Sequence, residues 1–184
     1  MKDNPEAPAA TFSLLSVEFA VGHDIDRTLS DVAEQLRAKG VRVAGYVQIR
    51  GVETGECECR DLYLRDLHTG EQHRISEERG PNAKGCHLDW QSLTLLAQSL
   101  EQSLSEDTDL LIINRFGHSE SQGRGFRGAI EKAMMLGISV IVAVRGEYLK
   151  EWNDFHGGMA ELAPANATDI ARAVLAKRES GISD

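Results

Sequence analysis

The sequence predicts a three-layer α/β sandwich around a mostly parallel sheet, with a β-ribbon inserted into the alternation, and three observations carry that expectation. Short continuous apolar runs, Leu110 to Ile113 and Ile138 to Val144, suit strands buried on both faces. Stretches with apolar residues at helical spacing lie between such runs, so strand and helix alternate along the chain. The alternation breaks once, where Thr54-Gly55 and Thr69-Gly70 punctuate a segment whose Tyr63, Leu64 and Ile75 suit an antiparallel ribbon. With 184 residues, 41% apolar and only 5% aromatic, the chain can bury one good core. That predicts a single domain over 11–178, between a disordered lead, 1–10, and a tail, 179–184.

Taken in order, Phe12 to Phe19 reads as the first strand, and from Asp24 the stripe Ile25, Leu29, Val32, Ala33 and Leu36 reads as a helix that Gly40 stops. Val41 to Ile49 alternates as a second strand before the ribbon. Ser76 to His87 has Gly-Pro and Lys-Gly breakers and no apolar period, so it reads as a loop, and Asp89 can cap the helix that shows Leu93, Leu96, Ala97, Leu100 and Leu104. That helix delivers the chain to the central strand at Leu110. Phe126, Ile130, Ala133 and Met134 then mark a helix closed by Gly137. A buried strand at 138–144, a short helix from Tyr148 to Phe155, an edge strand at Ala160 to Leu162 and a last helix capped by Thr168 complete the reading.

The formal charge of −9 argues against nucleic acid or an anionic membrane surface as the main partner. No apolar run approaches the roughly 20 residues that span a bilayer, and the start lacks the apolar segment of a secretory signal, so a cytoplasmic location is expected. Three cysteines, an odd number, fit reduced thiols better than a disulfide framework. Cys57 and Cys59 lie in a strand-like run. Cys86 lies just before a helix start, where a thiolate is stabilised, and is the expected reactive thiol or soft ligand. His68 and His73 read as solvated, and Trp90 and Trp152 as packing residues.

Chemistry is expected at Asp109 to Gly128, which passes from strand to glycine-softened loop to helix without a break. Ligands of open α/β sheets sit at the carboxyl ends of the strands, which puts Asn114, Arg115, His118, Glu120, Gly123, Arg124 and Gly125 where binding residues belong. A solvated connection with no ligand is the alternative. Arg115 weighs against it, because a cation directly after a buried strand must reach a site or find a partner. The other candidate loop, AVGHDIDRTL after the first strand, compares with the phosphate-cradling pattern G-x-x-x-x-G-K-[ST] only at Thr28. Val21 and Asp26 stand at the two glycine places and Arg27 at the lysine, a degenerate Walker A. Arg27 can hold a phosphate, whereas Asp26 puts an anion near one, and a plain helix start capped by Asp24 or Asp26 remains the other reading.

The helix end RAKGVRVAGYV, the ribbon CRDLYLRDLHTGEQ, the strand DLLIINRFG and the helix GAIEKAMMLGISVIVAV occur in an order that resembles the small P-loop nucleoside-triphosphatases first described from thermophiles. Residues 12–178 resemble still more closely an uncharacterised bacterial family often encoded beside molybdate-transport or nitrogenase genes. KGCHLD at 84–89 and NRFGHSESQGRG at 114–125 are the most specific pieces. The family pattern there is Asn-Lys-Phe-Gly-Lys followed by an acidic residue and glycines, so Arg115 and His118 stand at the two lysine places, and the imidazole makes an anion site weaker or pH-dependent. The triphosphatases carry an acidic pair after the equivalent strand for Mg²⁺ and the attacking water. This chain has Asn114 and Arg115 instead, with Glu120 in the loop as a stand-in, which removes main parts of metal-assisted phosphoryl transfer.

The expected function is a non-catalytic accessory protein that holds a small anionic ligand, a nucleotide or molybdate, in molybdenum handling beside a protein partner. A divergent nucleoside-triphosphatase is the alternative. The expected ligand-binding residues are Arg27, Thr28, Asn114, Arg115, His118, Glu120, Gly123, Arg124 and Gly125, with no catalytic residue and no bound metal.

Overall fold

Period-two alternation divides each central strand between two cores. The computed structural model describes residues 13–50, 62–77, 88–164 and 166–180. In the central strand β5 (Leu110–Phe116), Leu111 and Ile113 join one apolar cluster while Leu110 and Ile112 join the other. The same split runs through β6 (Ser139–Arg145), where Val140, Val142 and Val144 oppose Ile141 and Ala143, and through β1 (Leu14–Phe19) and β2 (Val43–Arg50). A sheet that is apolar on both faces must be covered on both, and helices cover it. On one side lie α1 (Ile25–Arg37) and α6 (Ala167–Ser180), which pack on each other. On the other lie α2 (Trp90–Ser103), α4 (Arg127–Met135) and α5 (Leu149–His156), with a four-residue helix, α3 (His118–Ser121), at the end of β5.

Seven strands form one sheet in the order β4-β3-β2-β5-β6-β1-β7, with β3 at Leu62–Asp66, β4 at Gln72–Arg74 and β7 at Ala160–Leu162. The five strands from β2 to β7 pair in parallel, and β3 and β4 add antiparallel at the β2 edge as the expected ribbon. Gly45 marks a close approach of two strands. Its φ is +118°, and a Cβ there would stand 2.0 Å from the Ile112 carbonyl oxygen, so β2 meets β5 at a position that only glycine fits.

The predicted elements are present, with corrections at their edges. Asp24 caps α1 and Asp89 caps α2, the latter by accepting from the backbone N–H groups of Gln91 and Ser92 at 3.0 Å. Thr168 does not cap the last helix. Asn166 does, accepting from Asp169 N at 2.9 Å, so the helix begins two residues earlier than a Thr168 cap would start it and Thr168 lies in its first turn. Asn114 and Arg115 belong to β5 rather than to a loop, at a register shift between Ile113 and Phe116. Trp152 is buried as expected, whereas Trp90 is 53% exposed. Phe12, residues 1–10, the Thr54-Gly55 turn, all three cysteines and the tail beyond 180 lie outside the described residues. Among the described residues no helix is long and apolar enough to cross a membrane.

Two titratable groups tie the sheet to its surroundings. Asp109, at the amino end of β5, accepts from the Arg42 backbone N–H at 2.8 Å and from the Arg42 guanidinium at 3.1 Å, and Arg178 of α6 approaches to 3.2 Å. Burial alone would raise this carboxyl, but the two guanidinium groups hold it down at about 2. His156 is buried where α5 turns into β7. Its Nδ1 accepts from the backbone N–H groups of Gly158 and Ala160, both at 3.1 Å, so its proton sits on Nε2 and is donated to Asn153 Oδ1 at 3.0 Å.

Burial pushes the His156 pKa below its ordinary value. A base with a depressed folded pKa contributes stability that is fully present above its unfolded value of about 6.5 and is lost as pH falls through the folded pKa. The urea midpoint is therefore expected to fall as pH drops below about 6.5, well before Asp109 begins to protonate. His156→Gln should flatten that limb, and an unchanged pH profile in this variant would show that the limb has another origin.

Candidate functional site

The site begins with a side chain turned inward at the start of α1. Asp24 accepts from Arg27 N at 3.2 Å, and the Thr28 hydroxyl donates to the Asp24 carbonyl oxygen at 3.2 Å and lies 3.3 Å from His23 Nε2. With Asp24 as the cap, Asp26 falls in the first turn and faces the sheet, 14% exposed. Its carboxylate accepts from Asn114 Nδ2 at 3.1 Å and from Arg115 Nη2 at 3.0 and 3.1 Å. Consecutive residues of a regular strand point to opposite faces, and the register shift in β5 is what lets Asn114 and Arg115 both reach Asp26. The Arg115 guanidinium also stands 6.0 Å from the centre of the Phe19 ring at the end of β1.

Thus the two candidate loops are joined: the cation after the central strand has a partner, and the partner is the acid that replaces a glycine of the phosphate-loop pattern. Among the described residues, two buried atoms of this cluster have no hydrogen-bond partner, Asn114 Oδ1 and Arg115 Nε. Asn114 is only 7% exposed, so these are unsatisfied groups inside the fold at the point where the sheet's carboxyl ends open.

Cavities lie on both sides of Arg115. The first-loop cavity, about 710 Å³, is lined by His23, Arg27, Arg65 and Arg115 together with Asp24, Asp26 and Glu34. Arg27 is 80% exposed, 4.0 Å from Asp31, and free to turn toward this space, whereas the Thr28 hydroxyl is taken up within the helix turn. A hollow of about 200 Å³ on the other side is walled by Leu64, Ile75, Leu93 and Phe126, with Asn114 and Arg115 at its polar end. A third space of about 260 Å³ shares Trp90, Leu93, His118 and Ser119 with that hollow and reaches Arg124. Arg115 and Arg124 therefore do not line one cavity but stand at the two ends of a cleft. Another space, about 680 Å³, lies at the opposite end of the strands, where Arg42 is already bound by Asp107 and Asp109.

Glu120 has a different position from a solvent-facing metal ligand. It is buried, and its two carboxylate oxygens accept from Gly117 N at 3.1 Å and from Phe126 N at 3.0 Å, so it fastens both ends of the loop around α3. Burial raises its pKa, and the hydrogen bonds from those backbone groups oppose the rise. Gly123 and Gly125 have φ of +77° and +60°, and a Cβ at Gly125 would stand 2.2 Å from Glu120 Oε1. The loop thus closes on its own carboxylate. Among the described residues no group of three or more His, Cys, Asp or Glu side chains is placed to hold a metal ion.

Asp26 and Trp90 are the members of this region that sequence reasoning assigned elsewhere, the one as a helix cap or a repelling anion, the other as a packing residue. A signal for Asp26 existed in principle, since a second acid beside the cap Asp24, one turn from the sheet, can face a cation at a neighbouring strand end. Gly125→Ala is expected to destabilise the protein by about 1–3 kcal/mol, the cost of holding a side chain in left-handed backbone, because the side chain also displaces Glu120 from Phe126 N. Urea denaturation measures it, and a midpoint equal to that of the parent would show that the loop relaxes freely.

Three similarities bear on this chain. It covers 89% of its length against the crystal structure of THEP1 from the hyperthermophile Aquifex aeolicus, 95% of which is covered, with a TM-score of 0.53 at 13% identity. That likeness shows the shared fold, the P-loop-type α/β sandwich expected from the element order. The chain is 33% identical over 136 residues, 74% of its length, to the molybdenum import ATP-binding protein ModC 2 of Bradyrhizobium diazoefficiens, but spans only 15% of that much longer protein. Residues 14–172 match the family described as Protein of unknown function (DUF2478), and the chain belongs to that family.

Proposed function

We propose that this chain is a non-catalytic binding protein for a small oxyanion or a nucleotide, acting in molybdenum handling beside a protein partner. The observation that carries the reading is the Asp26 carboxylate held on Asn114 and Arg115 at the carboxyl ends of the parallel strands. In a fold of this type that is where an anionic group belongs, and here the chain supplies its own. An incoming oxyanion competes with Asp26 for the guanidinium, with Arg27, Arg65 and His23 adding positive charge around the first-loop cavity. The name of the ModC 2 relative supports the link to molybdenum. Of the other candidate residues, His118, Arg124 and Gly125 line the outer cleft, and Cys86 is proposed as the reactive thiol, with rate-resolved alkylation as its test.

Thermal-shift comparison of molybdate, tungstate, sulfate, phosphate, ATP and GTP identifies the ligand, because selective binding stabilises the folded state. For the ligand that binds, Arg115→Ala is expected to weaken affinity by about 1.5–3 kcal/mol, the range for a hydrogen bond to a charged group. Asp26→Asn, which removes the competing anion and keeps the shape, should tighten it. Calorimetry reads both, and equal affinities in parent and variants would place the ligand elsewhere.

The alternative reading, a divergent nucleoside-triphosphatase, rests on the fold, and the same cluster weighs against it. The strand end offers Asn114 and Arg115 where Mg²⁺ needs carboxylate, Glu120 is occupied by backbone N–H groups, and Asp26 stands where backbone donors would wrap a phosphate. Phosphoryl transfer depends on positioning and charge stabilisation, and losing one transition-state donor typically costs about 10²- to 10³-fold. Little or no phosphate release is expected from ATP or GTP with Mg²⁺. Turnover near the roughly 1 s⁻¹ lower end of typical enzymes would overturn the non-catalytic reading.

A further inference from the structure

The cleft between Arg115 and Arg124 has a chemistry that a bare oxyanion does not use. Its inner hollow, about 200 Å³, has walls of Leu64, Ile75, Leu93 and Phe126, which offer nothing to replace the water stripped from a tetrahedral anion. Its outer part, about 260 Å³, ends at the exposed Arg124. Trp90 lines both parts and remains 53% exposed, although α2 needs no indole at its first position, where Asp89 already provides the cap. An exposed indole beside an apolar hollow offers a flat face for stacking.

The polar end of the hollow narrows the ligand further. Asn114 Oδ1 is an acceptor without a donor, and Arg115 Nε is a donor without an acceptor, both closed to water in this conformation. The Arg115 guanidinium is held to Asp26 through Nη2 alone, which leaves it able to turn about that contact. One molecule that meets all of these features has two apolar faces, and on one edge an N–H beside a ring acceptor or carbonyl. That describes a planar nitrogen heterocycle.

We propose that the cleft under Trp90 binds the base of a nucleotide, its ring against the indole and its hydrogen-bonding edge toward Asn114 and Arg115. The sugar and phosphates leave by the outer part toward His118 and Arg124. This inference rests on the nucleotide branch of the function proposed above, and names the part of the nucleotide that provides recognition.

Binding is read on the full chain by Trp fluorescence and calorimetry with guanosine, adenosine, their monophosphates, inorganic phosphate and molybdate. Trp152 is buried, so a contact quench reports Trp90. A nucleoside is expected to quench and to bind at least tenfold more weakly to Trp90→Ala, an exposed position whose substitution is expected to leave the circular dichroism spectrum unchanged. Arg124→Ala should weaken the monophosphate several-fold and leave the nucleoside unchanged. Nucleoside binding without any response to phosphate or molybdate would support the base site and overturn the oxyanion branch. Phosphate or molybdate binding with no response to nucleosides would overturn the base site and leave the oxyanion branch standing. Equal nucleoside affinity in Trp90→Ala, or no binding by any probe, would also overturn the base site.

Discussion

One carboxylate holds the carboxyl end of this molecule together. Asp26 reaches from the first turn of α1 to two consecutive residues of the central strand, and in doing so it joins the first loop to the bulge in β5 and anchors Arg115 through Nη2. Fully exposed ion pairs contribute only about 0.2–1 kcal/mol. Here the acid is mostly covered and accepts a third hydrogen bond from a buried amide, so its loss would leave Arg115 without its anion and Asn114 with neither of its polar atoms paired. The same contact decides what the end of the sheet can do. On the proposed function, a strand end that presents a neutralised cation would hold an anion by exchange rather than by attraction to an open charge.

Much of this was legible in the chain itself. Runs such as Leu110 to Ile113 are too short and too apolar for anything but a strand covered twice, and the helices that cover them keep a strict stripe, as Ile25, Leu29, Val32, Ala33 and Leu36 do. The location of the candidate site was expected from the fold, since parallel strands gather their loops at one end. What lay beyond reach was pairing across distance. Nothing local in the sequence says that Asp26 meets Arg115, because the contact depends on where β1 and β5 lie in the sheet and on a bulge that has no sequence signature at Asn114-Arg115. Glu120 was misplaced for a related reason. Its neighbours in sequence suggest a solvated loop, but Gly125 brings the backbone back over it and turns a would-be ligand into a fastener.

The loop after the central strand illustrates how a surface is framed without secondary structure of any length. Glu120 satisfies a donor before and a donor after the short helix α3, and the glycines at 123 and 125 supply the left-handed turns that bring those donors together. His118 and Arg124 are then presented from a framed loop rather than a loose one. Rigid presentation lowers the ordering cost that a ligand must offset on binding, so modest contacts in the proposed Trp90 cleft would go further.

The sheet order also bears on how the chain is made. β1 precedes the other six strands of the sheet in the chain, yet both of its neighbours, β6 and β7, are the last two of the seven, with Leu14 beside Val140 on one side and Ala160 on the other. During synthesis β1 is therefore an apolar strand with no ladder to join, while β2, β3 and β4 can pair among themselves soon after they emerge. Contacts so distant in sequence form late and slowly. Until they form, β1 presents unpaired edges on both sides, the kind of exposure through which strands pair with other chains.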